Sequence, residues 1–497
     1  MLDNLALGFS VATTPANLAF AFLGCLLGTL IGVLPGIGPV ATMAMLLPIT
    51  YSLSPIAALI MLAGIYYGSQ YGGSTTAILL NLPGESSSVV TALDGHAMAR
   101  DGRGGIALAI AAIGSFVAGS FGTLALAAIG PMLAGVAQNF GAPEYFSLML
   151  FGLVCATLLA AGDFLKAIAM VVAGLLMGIV GTDVNSGASR FTFGTVNLSE
   201  GIEFVIVALA FFGLAEVIGN LVQQSHRHGT ISKVGRLMPN RTELRESAPA
   251  IARGTILGSI LGLLPGGGAV LSSFASYMFE KRISKNPERF GRGAIEGVAG
   301  PESANNAGAQ TSFIPLLTLG IPSNAVMALM MGAMMIQGIA PGSAVMTTNS
   351  SLFWGMVASM WVGNLMLLII NLPLVGLWVK LLSVPYRVLY PCIVVFCCIG
   401  VYSLNSSSFD VYLASALSVC GYLLVRLGCE GAPLILGFIL GPLLEENLRR
   451  SLLLSQGNPS IFVERPISAT FLALILVMLA LFLLPSARKQ REEAFQE

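Results

Sequence analysis

The chain has 497 residues, 55% of them hydrophobic and 10% charged, with a formal net charge of zero and a mean hydropathy of +0.84. Soluble chains carry roughly a quarter charged residues, so lipid is the expected solvent. The balanced charge excludes an overall basic nucleic-acid footprint.

Transmembrane helices need about 20 apolar residues, and the chain offers them in order. Residues 1–16 hold no Lys or Arg, and no basic n-region of a cleaved leader precedes the first basic residue, Arg100. The stretches 16–51 and 52–100 are apolar but interrupted, too long for one span and too broken for two ordinary ones. Continuous candidates follow at 106–134, 144–161, 164–181 and 202–222. A polar basic segment covers 223–250, with His226 and His228 read as a solvated pair rather than metal ligands. Interrupted stretches return at 251–280 and 294–340, then continuous ones at 352–379, 388–404, 411–427, 431–444 and 467–484. The expected fold is an all-α polytopic integral membrane protein of about 10–14 membrane elements. Gly114, Ala118 and Gly122, like Gly174 and Gly178, form small-residue faces that let helices approach closely. The seven cysteines, without C-x-x-C spacing, read as buried thiols.

One pattern is written twice. Residues 28–40 read GTLIGVLPGIGPV and residues 258–270 read GSILGLLPGGGAV. A second pair follows, LLNLPGES at 79–86 and LTLGIPSN at 317–324. Gly/Pro-interrupted hydrophobic segments at matching positions of two halves point to a transporter binding site. The chain therefore divides into repeat one (1–222), a basic linker (223–250), repeat two (251–445) and a C-terminal helix with tail (446–497). Basic residues mark the cytoplasmic side. Arg227, Lys233, Arg236, Arg241, Arg245 and Arg253 lie within 223–253, at the entry to repeat two, and Lys281, Arg282, Lys285, Arg289 and Arg292 follow its first hairpin. Arg488, Lys489 and Arg491 lie in the tail. Repeat one begins on a side without basic residues, so inverted-topology repeats with broken, re-entrant hairpins are expected. The N-terminus would be periplasmic and the C-terminus cytoplasmic.

Non-helical backbone at membrane depth survives only where protein or water satisfies it. That singles out 34–39, 82–87, 264–269 and 320–324. Pro removes an N–H donor and ends a half-helix, Gly permits the turn, and the next half-helix begins with bare N–H groups that favour an anion. Candidate substrate-binding residues are Pro35, Gly36, Gly38, Ser74, Thr75, Pro83, Gly84, Ser86 and Ser87 in repeat one. Those of repeat two are Pro265, Gly266, Gly268, Asn305, Asn306, Pro322, Ser323 and Asn324. Ser86 and Ser323 are expected N-caps, and Pro39 suits a first helical position. Candidate coupling-ion residues, for Na⁺ or H⁺, are Asn81, Glu85, Glu302, Ser303 and Thr318, because ionisable and oxygen-bearing groups within a membrane mark ion pathways. Asp94, His96, Arg100 and Asp101 read as a solvated turn, and Glu216 as a helix end. No cofactor is expected beyond Na⁺ as a coupling ion, and no catalytic residue. There is no G-x-x-x-x-G-K-[ST] and no H-E-x-x-H.

GTLIGVLPGIGPVATMAMLLPITY, YGGSTTAILLNLPGE, GLLPGGGAVLSSFASY and GPESANNAGAQTSFIPLLTLGIPSNAVMALMMGAM together resemble the large membrane subunit of the tripartite tricarboxylate transporters, over about residues 16 to 440. The resemblance implies a subunit of a bacterial inner-membrane secondary transporter taking up citrate or a related carboxylate. Its implied partners are a small membrane subunit and a periplasmic solute-binding protein, with membrane lipids around it and a Na⁺ or H⁺ gradient as driving force. A passive organic-anion channel is the alternative, and an intramembrane lipid-modifying enzyme a remote one.

Overall fold

The computed structural model describes residues 2–34, 38–82, 84–160, 163–183, 186–223, 234–265, 268–381 and 386–483. Pro35, Gly36, Pro83, Gly266, His226, His228 and the basic tail lie outside the described residues. The first half contains α1 (Leu2–Ala12), α2 (Pro15–Val33), α3 (Pro39–Thr50), α4 (Pro55–Leu80), α5 (Val89–Met98), α6 (Gly104–Ala137), α7 (Ala142–Leu159), α8 (Phe164–Gly178), α9 (Phe204–Ala208) and α10 (Ala215–Gln223). The second contains α11 (Arg241–Gly262), α12 (Gly268–Ile283), α13 (Glu296–Thr311), α14 (Phe313–Leu319), α15 (Ala325–Ile336), α16 (Ala344–Thr348), α17 (Ser350–Asn371) and α18 (Val375–Leu381). It closes with α19 (Tyr386–Asn405), α20 (Ser408–Arg426), α21 (Gly431–Leu454), α22 (Ile461–Glu464) and α23 (Pro466–Leu483). Among the described residues the only β structure is a ribbon pairing Gly181–Thr182 with Ser189–Arg190. The protein is thus an all-α, polytopic membrane protein. Among the described residues, four helical stretches are long and apolar enough to cross a membrane by length and composition, and eight further apolar helices are shorter. Several of the latter are the halves of interrupted stretches.

Two helices form the centre, one from each half. Every residue of α4 from Ala57 to Leu79 is buried, as is every residue of α13 from Gly297 to Thr311. A helix with no exposed face belongs to the middle of a bundle. Each is clamped by a glycine-lined neighbour. Gly24, Gly28 and Gly32 of α2 lie against the backbone of Met61, Ile65 and Ser69. Gly254, Gly258 and Gly262 of α11 lie in the same way against Gly300, Ala304 and Gly308. The spacing of four residues on both sides keeps the contact on one face, and the missing side chains let the backbones touch. The small-residue faces foreseen elsewhere also carry contacts. Gly114 and Gly122 of α6 meet Ser303 and Gln310 of α13, and Gly174 and Gly178 of α8 meet Leu434 and Phe438 of α21.

Ion pairs sort the connections to two ends of the bundle. The 34-residue α6 is about 51 Å long at 1.5 Å per residue, so it separates Arg103 from Glu144. At the Glu144 end, Glu144 pairs with Arg465 (2.6 Å) and Arg190 with Asp183 (2.6 Å) and Glu445 (2.8 Å). At the Arg103 end, Arg103 (3.7 Å) and Arg236 (2.8 Å) reach Glu243. Arg253 holds Glu280 through two hydrogen bonds of 2.8 and 2.6 Å, closing α11 and α12 into a hairpin.

The backbone contact sets a stability prediction. Gly258→Ala, whose added methyl runs into Ala304, should cost about 1–3 kcal/mol or more as overpacking. Gly135→Ala, with open space around it, should leave thermal unfolding in detergent unchanged. Equal unfolding temperatures for the two variants would show that the glycine stripe is not under steric constraint.

Candidate functional site

The central helix α4 and the short helix α14 that follows α13 end in the same way. Asn81 after α4 is left-handed (φ 56°, ψ 30°), and so is Gly320 after α14 (φ 70°, ψ 30°). Four residues later Glu85 and Asn324 are extended (φ −148° and −157°), and helix resumes. A left-handed residue reverses the chain, and Gly and Asn accept that conformation at least strain.

Within each half the two breaks touch. Gly84 sits so close to the Gly32 carbonyl and to Gly73 that a side chain would collide with both. Thr76 Oγ1 donates to the Val33 carbonyl (2.7 Å), tying the second break to the end of α2. In the other half Ser312 Oγ donates to the Gly262 carbonyl (3.3 Å), Ser323 Oγ to the Ser312 carbonyl (3.4 Å) and Asn324 Nδ2 to Ser312 Oγ (3.3 Å). Gly268 has φ +48°, and an added Cβ would fall 2.9 Å from Asn324 Nδ2. Gly152 of α7 covers Pro265 and Ile321 from outside.

Between the halves the breaks are joined by two buried acids. Glu85 accepts from Ser87 Oγ (2.5 Å) and from Asn305 Nδ2 of α13 (3.3 Å). With its amide nitrogen turned inward, Gln70 of α4 donates to Glu85 and to Asn305 Oδ1 (2.7 Å). The Tyr66 hydroxyl pairs with Gln70 and with Asn324. Glu302 of α13 accepts from Ser74 Oγ of α4 (2.7 Å) and Thr91 Oγ1 of α5 (2.5 Å). Asn306 Nδ2 donates to Ser115 Oγ of α6 (2.7 Å). Each acid is therefore held by donors from the opposite half. Among the described residues neither acid takes part in an ion pair. A carboxylate taken out of water without a basic partner is costly. Only a proton or a small cation would balance its charge.

Of the sequence candidates, Ser74, Glu85, Ser87, Glu302, Asn305, Asn306 and Asn324 share this network. Thr75 donates to the Tyr71 carbonyl (3.3 Å). Ser303 and Thr318 donate to carbonyls of their own helices, Ala299 (2.8 Å) and Ile314 (2.6 Å). Asn81 is exposed and serves as a helix C-cap. The expected N-caps are displaced by one residue: Glu85, not Ser86, precedes the helical turn, and Asn324, not Ser323, accepts from Met327 N (3.0 Å). The reason is the backbone. The capping residue must be extended, and the residue before it is spent on crossing the break. Pro39 does open α3, with Gly38 as its N-cap.

Two further expectations are corrected. Asp94 is not solvated. It is fully buried and accepts from Tyr277 (3.0 Å) and from the backbone N–H groups of Gly293 and Ala294 (2.8 Å each). Arg100 and Asp101 alone are exposed. Glu216 does not end a helix but lies in the first turn of α10, where it meets the Gly38 backbone N–H. The N-terminus of α3, capped by Gly38, thus already holds a carboxylate from within the chain, as helix dipoles favour. Gln70 was legible as an amide inside an apolar run, IYYGSQYGG. Thr91 and Ser115 carried no sequence signal.

Asp94→Ala removes the acceptor of the Gly293 and Ala294 backbone N–H groups, which at about 1 kcal/mol or more each should lower stability by at least ~2 kcal/mol. Thermal unfolding in detergent measures it, and Asp94→Asn should fall between the variant and the parent. An Ala variant as stable as the parent would remove Asp94 as the clasp between halves.

The comparisons agree with this architecture. The profile described as the tripartite tricarboxylate transporter TctA family matches residues 18–436. An uncharacterised 52.8 kDa protein from the TAR-I ttuC′ 3′ region of Agrobacterium vitis is 59% identical over 497 residues, covering all of this chain and 99% of the relative. An uncharacterised protein from the TAR-II ttuC′ 3′ region of the same organism is 62% identical over 240 residues, covering 48% of this chain and 99% of the relative. No solved structure matches the chain. With a family profile running over most of its length and across both pairs of breaks, the chain belongs to the tripartite tricarboxylate transporter TctA family and is a membrane transporter subunit, not an enzyme.

Proposed function

We propose that this chain is the carrier subunit of a binding-protein-dependent importer for tricarboxylates or related organic carboxylates. Uptake is driven by a Na⁺ or H⁺ gradient across the bacterial inner membrane. A periplasmic solute-binding protein delivers the substrate, and a small membrane subunit completes the complex. The observation that carries this reading is a pair of conformationally matched helix breaks accompanied by two buried acids that bond across the halves, Glu85 to Asn305 and Glu302 to Ser74 and Thr91. Half-helix starts supply N–H groups for a carboxylate, and unwound carbonyls and neutral oxygens supply a place for a cation. The acids without bases give the coupling ion its partner.

The proposed orientation rests on the charge at the two ends of the bundle. The end holding Arg103, Arg236 and Arg253 also carries the basic stretches 241–253 and 281–292, so it faces the cytoplasm. The Glu144–Arg465 end then faces the periplasm. The N-terminus lies outside and the C-terminus inside, and the halves are inverted repeats. Substrate would be held by amides, hydroxyls and dipoles at the breaks, at Pro35, Gly36, Pro83, Gly84, Ser86 and Ser87 and their repeat-two partners, rather than by an arginine clamp.

Liposomes containing the complete complex test the reading. Labelled carboxylate should accumulate against its gradient only when a Na⁺ or H⁺ gradient is imposed and the binding protein is present. Downhill flux alone, without either, would establish the passive channel instead. Asn305→Ala and Asn324→Ala should each raise the apparent substrate or Na⁺ constant by about tenfold, the equivalent of about 1.4 kcal/mol. Glu302→Gln should change the pH or Na⁺ dependence of uptake, and an unaltered profile would remove Glu302 from coupling.

A further inference from the structure

A small cavity lies beside Glu302. Its polar walls are Tyr71, Ser74 and Thr75 of α4, Ser115 of α6, Glu302 of α13 and Asn371 at the end of α17. It has room for about one water molecule, so a tricarboxylate is excluded by size. Every polar wall residue is at least nine-tenths buried. Asn371 Nδ2 is held by the Leu367 carbonyl (2.9 Å), which fixes the amide, and Asn371 Oδ1 is left buried with no hydrogen-bond partner.

We infer that this cavity is a Na⁺ site, separate from the carboxylate cradle, with Glu302, Asn371 and the Ser74, Thr75 and Ser115 hydroxyls around the ion. The inference rests on the carrier reading and names its ion. Two needs meet in this space: a carboxylate without a base, and an amide oxygen without a donor. A proton on Glu302 answers the first and leaves Asn371 Oδ1 orphaned. A water molecule answers the second and leaves the charge. A monovalent cation answers both, through oxygen ligands of the kind hard cations take. One carboxylate among neutral oxygens matches a single positive charge and not a double one. Leu108, a short way past Arg103, and Leu372, a short way before Lys380, bound the cavity. It therefore lies toward the basic end of the bundle, where an imported ion would leave. The Ser74 hydroxyl touches Glu302 while its helix carries Gln70 to Glu85, so α4 links ion site and cradle.

The test uses the purified full chain in detergent with no carboxylate present. Thermal unfolding is followed while NaCl replaces choline chloride at constant ionic strength, with KCl as a second arm. The unfolding temperature should rise with Na⁺ and not with K⁺. Asn371→Leu and Ser115→Ala should raise the half-saturating Na⁺ concentration by on the order of tenfold, each variant read against its own unfolding temperature in choline. If Asn371→Leu fails to fold in choline, Ser115→Ala decides alone. Equal unfolding temperatures in all three salts would make the cavity a water site and overturn the inference. So would a Na⁺ response unchanged in the folded variants. Because no substrate or partner is present, failure of carboxylate uptake would leave this titration standing. A flat titration would likewise leave an H⁺-driven carrier intact.

Discussion

Peptide groups cannot be left bare in hydrocarbon, and the whole arrangement answers that constraint. A helix can be interrupted inside a membrane only where other protein takes up the freed N–H and C=O groups. Here each interruption leans on a glycine-lined helix that comes to backbone distance. Gly32 receives the break at Gly84, and Gly262 receives Ser312 beneath the break at Asn324. The glycine stripes of α2 and α11 thus have two roles. They clamp the central helices, and they make the only environment in which those helices can end halfway.

The centre of the bundle then acquires an unusual composition. Helices buried on all sides would ordinarily be apolar throughout. Instead α4 carries Ser69, Gln70, Ser74, Thr75 and Thr76, and α13 carries Glu302, Ser303, Asn305, Asn306 and Gln310, all buried. Some of these hydroxyls bond back to their own helix. Others reach across, and the crossing bonds concentrate at Glu85 and Glu302. Polar side chains that join two halves in a low-dielectric core act as a single unit, since removing one leaves its partner unsatisfied. A network of that kind has a small number of stable arrangements, which suits the carrier role proposed above.

Much of this was legible before any coordinates. The duplicated Pro-Gly motifs located the breaks, because Pro and Gly act on their own backbone and nothing distant overrides them. The apolar runs located most helices for the same reason. Capping was misplaced by one residue at both second breaks, since the number of residues needed to cross a break depends on where the following helix is pinned. Asp94 was misjudged because its partners, Tyr277 and the Gly293–Ala294 backbone, are some 180–200 positions away. Charge flanked by Arg100 and Asp101 looked like a surface turn, and only half of it is one.

The sequence by itself determined the solvent, the class of fold and the points where most helices stop, all of them consequences of local composition and backbone chemistry. Tertiary structure alone decided which oxygens face each other. That Glu85 meets Asn305, that Glu302 meets Ser74 and Thr91, and that Asn371 ends beside the latter acid are matters of which helix lies against which. Those choices come from steric fit between small-residue faces, a property of pairs of surfaces that no single segment encodes.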